Sequence, residues 1–313
     1  MVGAPKPRLD LTHCGKADKR RDMSRVSGHL RLYAMSDSAE APPLPVRPPA
    51  NPASAADRAN RELIRPASYR RGHSRLEPHS NAWLDELEHK RYSRHGAWLP
   101  KALEFGRHPG ESILLINPGL GSDAIRFLNN GSEVSLALTD ADDPVLIRAN
   151  LARHGWMAPI VTLAGSHLPF ADGAFDIVVL NALYETVEVA KFSEELFRVL
   201  KCGGKVIGLF PARFDAGLWQ DLLLPYQHWY WRRPADPTAA PKTTARRLRR
   251  AFAQFEEHKA YKRHLRRSEL PHICRVLPLV VLERLFGRVL VFKAMKPISA
   301  ARAALSVPDN LAA

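Results

Sequence analysis

Ser112–Asp140, SILLINPGLGSDAIRFLNNGSEVSLALTD, opens on an apolar run of strand length, Ile113–Ile116, and breaks into Asn117-Pro118-Gly119-Leu120-Gly121. Ser122 and Asp123 suit the opening of a helix that the apolar spacing carries from Ala124 to Leu128. After Asn129-Asn130-Gly131 a second apolar run, Val134–Leu138, ends on Thr139-Asp140. Each part has a physical role. Glycines let a ligand approach bare backbone, and a helix start presents N–H groups and a positive dipole end. A carboxylate at the tip of the next strand, about 20 residues on, can accept both hydroxyls of a ribose. The stretch therefore reads as a nucleoside-binding turn at the carboxyl end of a parallel sheet. Gly119-x-Gly121-x-x-Ala124 also satisfies the dinucleotide fingerprint G-x-G-x-x-G/A, so the stretch alone leaves the cofactor open.

Working outward, the pattern gives a helix over Pro144–His154, a strand around Ile160–Leu163, and a loop Gly165-Ser-His-Leu-Pro-Phe170. The turn Ala171-Asp-Gly-Ala174 leads into a fourth strand, Phe175–Leu180, ending at Asn181. A helix over Ala190–Leu200 is expected to stop at the glycines of Lys201-Cys-Gly-Gly204, before a fifth strand, Lys205–Phe210. Strands and helices alternating at this spacing mean a parallel, doubly wound sheet. Upstream, Trp83, Leu84, Leu87, Tyr92, Trp98, Leu99 and Leu103 fit one or two amphipathic helices between His79 and Phe105, with Pro100 between them or opening the second. Their aromatic residues read as core rather than site.

The 313 residues, 45 % hydrophobic, suffice for a real core. No apolar run reaches membrane-spanning length and the N-terminus lacks a signal-peptide h-region, so a soluble, cytoplasmic chain is expected. Cys14, Cys202 and Cys274 are too few and too scattered for a disulfide framework or a zinc motif, so no metal site is expected. The net charge of +14 is carried by the flanks 1–75 and 213–313, whereas 76–212 is acidic. A basic flank can be a footprint for the phosphates of nucleic acid, for anionic lipid or for an acidic protein, but solvated surface is the plainer explanation and nucleic acid is not the expected partner. Residues 1–75 mix Lys/Arg clusters with the proline-rich run Ala41–Pro52 and show no sustained apolar period, so they read as a disordered extension. Within it, Met35-Ser-Asp-Ser-Ala-Glu has the look of an ordinary protein start, an alternative to Met1.

Leu168-Pro-Phe-Ala-Asp-Gly-Ala-Phe-Asp-Ile-Val-Val resembles the LPF-x-DGxFDxVV segment of class I S-adenosylmethionine-dependent methyltransferases, in the type 11 group that includes quinone-biosynthesis enzymes. Arg198-Val-Leu-Lys-Cys-Gly-Gly is similar to that group's RVLKPGG, Gly119-Leu-Gly-Ser-Asp to its GLGTD, and Leu87-Glu-His-Lys-Arg-Tyr to the helix before its first strand. Dehydrogenases lack the second and third motifs, which resolves the open fingerprint. The resemblance implies a Rossmann-like seven-stranded sheet, parallel except for an antiparallel last strand, here Gly287–Met295 after the run Leu277–Leu285. It further implies S-adenosylmethionine held by Gly119, Gly121 and Asp140, an adenine bordered by Ala141, Gly165 and Ser166, and Asn181 facing the methyl donor and the acceptor. The chain departs from the family at Leu115, where an acid is usual, and at Asn117, which replaces the first glycine as the non-glycine residue most tolerant of a left-handed backbone. It departs again in the loop Ala164–His167, which lacks the usual acid.

The expected organisation is a disordered extension (1–75), cofactor-covering helices (76–110), the Rossmann-like core (111–213), a helical lid or substrate insertion (214–275), a final helix and strand (276–297) and a tail (298–313). The insertion holds the aromatic run Leu218–Trp231 and a basic helical segment, Thr243–Arg267. The aromatic run suits a lid over an apolar acceptor, an interfacial patch dipping into lipid headgroups, or a helix packed on the sheet. Methyl transfer from a sulfonium needs alignment and water exclusion more than a fixed catalytic group. Where a base is needed, His167, Tyr184, Glu185 and His228 are the candidates. The expected activity is methylation of a small-molecule or lipid-like acceptor, with peripheral membrane contact. The alternative is a degenerate methyltransferase fold that binds an anionic partner, lipid or RNA.

Overall fold

The computed structural model describes residues 76–93, 96–139, 142–163, 165–182, 189–216, 218, 241–265, 270 and 277–298. All belong to one unit, Pro52–Ala313. The extension 1–75, the tail beyond 298 and nearly all of the aromatic run lie outside the described residues.

The apolar runs form β1 (Ser112–Ile116), β2 (Glu133–Leu138), β3 (Ile160–Thr162), β4 (Phe175–Asn181), β5 (Leu200–Pro211), β6 (Glu256–Arg263) and β7 (Val289–Met295). They make one sheet in the order β3-β2-β1-β4-β5-β7-β6. The strands β1 to β5 are parallel, and β7 runs antiparallel to both β5 and β6. This is the expected seven-stranded sheet. The winding direction reverses between β1 and β4, and in such sheets ligands bind beyond the carboxyl ends at that switch point.

Helices cover both faces, so the central strands are apolar on both sides, and Ile113–Ile116 are at most 2 % exposed. The two-residue strand period sends Ile113 and Leu115 into one core with Leu99, Leu103, Phe127, Ile147 and Leu151. Leu114 and Ile116 enter the other with Phe192, Leu196, Leu248 and Phe252. The first core is thus closed by α2 (Leu99–Leu103), α3 (Ser122–Asn129) and α4 (Pro144–Arg153), and the second by α5 (Val189–Val199) and α6 (Ala245–Ala251). Two further helices, α1 (Asn81–Tyr92) and α7 (Leu279–Phe286), precede β1 and β7. Pro100 opens α2, where its missing N–H is no loss. No helix among the described residues is long and apolar enough to cross a membrane.

Two expectations are corrected. Thr243–Arg267 is not a continuous helix: α6 stops at Ala251 and β6 follows, pairing Ala260 with Phe292 and Tyr261 with Val291. The helix-favouring Glu, Lys and Arg of Glu256–Arg263 are overridden because β7 offers a ladder and an apolar partner for each inward side chain. The glycines of Lys201–Gly204 are not a helix stop either. β5 begins at Leu200, and the pairing of β4 with β5 shifts register between Phe175 and Ile177. A Cβ on Gly204 would lie 2.8 Å from the Lys201 carbonyl oxygen and 2.9 Å from that of Asp176, so the irregularity requires glycine.

Glu104, just past α2, joins the first helices to the last strand. Its carboxylate accepts from Lys205 Nζ of β5 at 2.8 Å and Lys293 Nζ of β7 at 2.6 Å, with His108 Nε2 at 3.3 Å. Burial pushes this carboxyl up, but the hydrogen bonds and charges of the two lysines outweigh it and hold it at about 2, below its ordinary 4.5. A depressed carboxyl stabilises the fold fully above its unfolded value and ceases to do so as pH falls through its folded one. Glu104→Gln should therefore flatten the loss of stability between pH 4.5 and about 2. Glu104→Ala, which leaves the buried Lys293 unpaired, should cost about 3–5 kcal/mol in urea unfolding at neutral pH.

Candidate functional site

The loop between β1 and α3 is built from left-handed backbone: Asn117 has φ 56°, Gly119 64° and Gly121 83°. Three such residues in five suit a turn stripped of side chains. Asn117 adds what glycine could not. Its Nδ2 donates to the Asn181 carbonyl oxygen at 3.1 Å, tying the carboxyl ends of β1 and β4 across the switch point. Its backbone N–H donates to Ala137 of β2 at 3.1 Å. From α4, the buried Asn150 donates to the Leu120 carbonyl oxygen at 2.7 Å. Gly121 caps α3 with no side-chain acceptor of its own, and a Cβ there would sit 3.4 Å from Ile147 Cγ2.

The helix α1 lies over this loop. Leu120 packs in a cluster with Trp83, Leu84 and Leu87 of α1 and Leu146 of α4. Beside it, Arg91 binds Asp123 through two hydrogen bonds, Nε to Oδ1 at 3.0 Å and Nη2 to Oδ2 at 2.5 Å. Tyr92 Oη donates to Oδ1 at 2.7 Å. Arg91 is 3 % and Asp123 5 % exposed, so this is a buried, fork-to-fork pair. The carboxylate also sits in the first turn of α3, where the helix dipole favours it.

The two downstream motifs meet each other. Arg198 Nη1 donates to the Phe170 carbonyl oxygen at 2.8 Å and to Asp172 Oδ1 at 2.7 Å, and Nη2 donates to the Leu168 carbonyl oxygen at 2.7 Å. Its Nε and Nη2 also hold Glu195, which in turn accepts the Leu168 N–H at 2.9 Å. The Arg198 hydrogen bonds lead the causes that hold Glu195 down at about 2. Lys201 Nζ reaches Asp176 Oδ2 at 2.6 Å, and the same oxygen accepts Ser112 N–H at the start of β1. The LPF-x-DG loop and the RVLK helix end are therefore halves of one clamp.

Of the expected cofactor residues, Asn117, Gly119, Gly121 and Asn181 gather at the carboxyl ends of β1 and β4. Gly165 (φ 81°) and Ser166 are exposed after β3. His167 has a 72 % exposed side chain with Nδ1 3.0 Å from Glu195 Oε2, oriented by the clamp rather than by the glycine loop. Asp140, Ala141, Tyr184, Glu185 and His228 lie outside the described residues. Leu115 is 2 % exposed in the first core, so the acid usual at that position is replaced by packing. The sequence reading missed Asn150 and the pairing of Arg91 and Tyr92 with Asp123, partners 32 and 31 residues apart with no periodic signal to join them.

Residues 116–208 match the model of a methyltransferase domain, from the end of β1 into β5. That stretch is similar to a methyltransferase domain. The match spans the glycine loop and both halves of the clamp. No curated protein matches the chain. Among solved structures, a SAM-dependent methyltransferase of Methanosarcina mazei is similar at 16 % identity, with 63 % of this chain and 97 % of that one covered and a TM-score of 0.43. One from Thermotoga maritima is similar at 17 % identity, with 69 % and 96 % covered and a TM-score of 0.43.

The position of α1 depends on the buried pair of Arg91 and Asp123. Asp123→Ala strands Arg91 in the interior and should cost about 3–5 kcal/mol in urea unfolding, whereas the double change Arg91→Leu, Asp123→Leu, which removes both charges, should cost clearly less.

Proposed function

We propose that the chain transfers a methyl group from S-adenosylmethionine to a small-molecule or lipid-like acceptor. The observation that carries this reading is the left-handed loop Asn117–Gly121 at the switch point, covered by α1 and lying within the methyltransferase domain. The loop fits the cofactor on its own geometry. Its backbone is bare at Gly119 and Gly121, and α3 starts without a capping side chain. Asp123 is turned away to Arg91 rather than left to fill the cradle.

Bound S-adenosylmethionine supplies a methyl already activated by the sulfonium charge. The chain's part is alignment and exclusion of water. Gly119 and Gly121 offer backbone to the amino-acid end, and Asp140 accepts the ribose hydroxyls. Ala141, Gly165 and Ser166 border the adenine, and Asn181 faces the acceptor. The Trp83–Leu87 side of α1 keeps water from the loop. Where the acceptor atom carries a proton, Tyr184, Glu185, His228 or His167 would take it, and of these His167 has its ring oriented by Glu195.

A second reading, a non-catalytic fold that binds an anionic partner, draws support from Leu115, whose burial replaces a cofactor-facing acid with core. Calorimetric titration of the full-length chain with S-adenosylmethionine and S-adenosylhomocysteine separates the two. The methyltransferase reading expects saturable binding of both, weakened at least about tenfold (about 1.4 kcal/mol) in Gly121→Val and in Asp140→Ala. No binding of either ligand up to about 1 mM (about −4 kcal/mol) overturns it in favour of the second reading.

A further inference from the structure

We propose that α7, with the residues that follow β5, is a docking face for an anionic lipid bilayer. The helix reads Leu279-Val-Val-Leu-Glu-Arg-Leu-Phe286, and of its side chains only Leu282 is buried. It enters a small cluster with Ala216, Leu265 and Leu270. Val280 is 69 %, Leu285 50 % and Val281 43 % exposed, and Leu277 just before the helix is 44 % exposed. Phe214, 49 % exposed, continues the patch, because Lys262 Nζ donates both to its carbonyl oxygen at 2.6 Å and to that of Leu285 at 2.9 Å. A run of large aliphatic side chains turned outward on one short helix needs an apolar neighbour.

Charge selects that neighbour. Among the described residues the two acids of this region are both engaged: Glu283 by Arg263 at 2.8 Å, and the buried Asp215 by Lys242 at 2.9 Å. Arg213 and Arg284 are exposed around the patch and Lys262 lies beneath it, so its rim is cationic. A second copy docked through the same face would set cations against cations. Anionic headgroups meet the cations while the acyl region takes Val280, Val281 and Leu285. Eight residues make a helix of about 12 Å, suited to lying in the interface rather than crossing it.

The face is also placed for use. Val289, at the start of β7, pairs with both Pro211 and Arg263, so α7 sits at the carboxyl end of β5. Asn181 pairs with Leu209 of the same strand. The apolar helix and the glycine loop therefore share one end of the sheet. The docking itself does not depend on the methyl-transfer reading.

Co-sedimentation of the full-length chain with phosphatidylcholine vesicles, with and without phosphatidylglycerol, tests the proposal in the absence of any cofactor. Binding to the anionic vesicles only, reduced at least about tenfold by Val280→Glu with Val281→Glu but not by Met157→Glu at a distant exposed site, is the expected result. Leu285→Ser gives a milder second variant should the double one melt early. Binding to neither vesicle, or anionic binding unchanged by every α7 variant, overturns the proposal. So does a dimer in gel filtration that these variants dissociate, which would make the face an interface between copies.

Discussion

The hydrogen-bonded pair of Arg91 with Asp123, braced by Tyr92, fixes where the first helix lies, and with it how the glycine loop is covered. Burying two charges is expensive, and such a pair contributes less to net stability than its bond lengths suggest. The attraction of α1 for the loop comes instead from Trp83, Leu84 and Leu87, each contributing about 1.5–3 kcal/mol on burial. Apolar contact is tolerant of sliding, whereas a two-pronged guanidinium on a carboxylate at a helix start is not. The apolar contacts hold the helix down and the ion pair sets its register over Leu120.

The same division runs through the clamp. Arg198 takes two carbonyl oxygens and two carboxylates from the loop after β3 and from α5. Lys201 takes the acid at the head of β4. The residues that make this family visible in a sequence are thus largely those that fasten its connections. The clamp residues are occupied with one another, so a motif match reports how the connections are fastened and not which acceptor is taken.

The central strands were legible because each is a short apolar run bounded by turn residues, a pattern that a buried parallel strand requires. β6 was not legible: its side chains are polar, and its conformation is imposed by β7, whose pairing lies 30 residues away in the chain for the couple Tyr261–Val291. Gly204 was misread as a helix stop for a related reason, since the carbonyls that exclude a Cβ come from Lys201 and from Asp176 on the neighbouring strand. At the site, Asn117 was legible as a left-handed residue from its place in a glycine turn. Its bond to Asn181 required knowing that β4, fourth in sequence, sits beside β1.

The carboxylate of Glu104 has an implication for how the chain may be divided. The segment recognisable as a methyltransferase domain starts at Ile116 and stops at Gly208, yet Lys205 inside it shares Glu104 with Lys293, and both partners lie outside its limits. β5 would also be left with an open edge along its length where β7 now pairs. Cut to its recognisable borders, the segment would expose a lysine built for an interior and a sheet edge built for a neighbour. The unit that must fold is therefore longer at both ends than the unit that can be recognised.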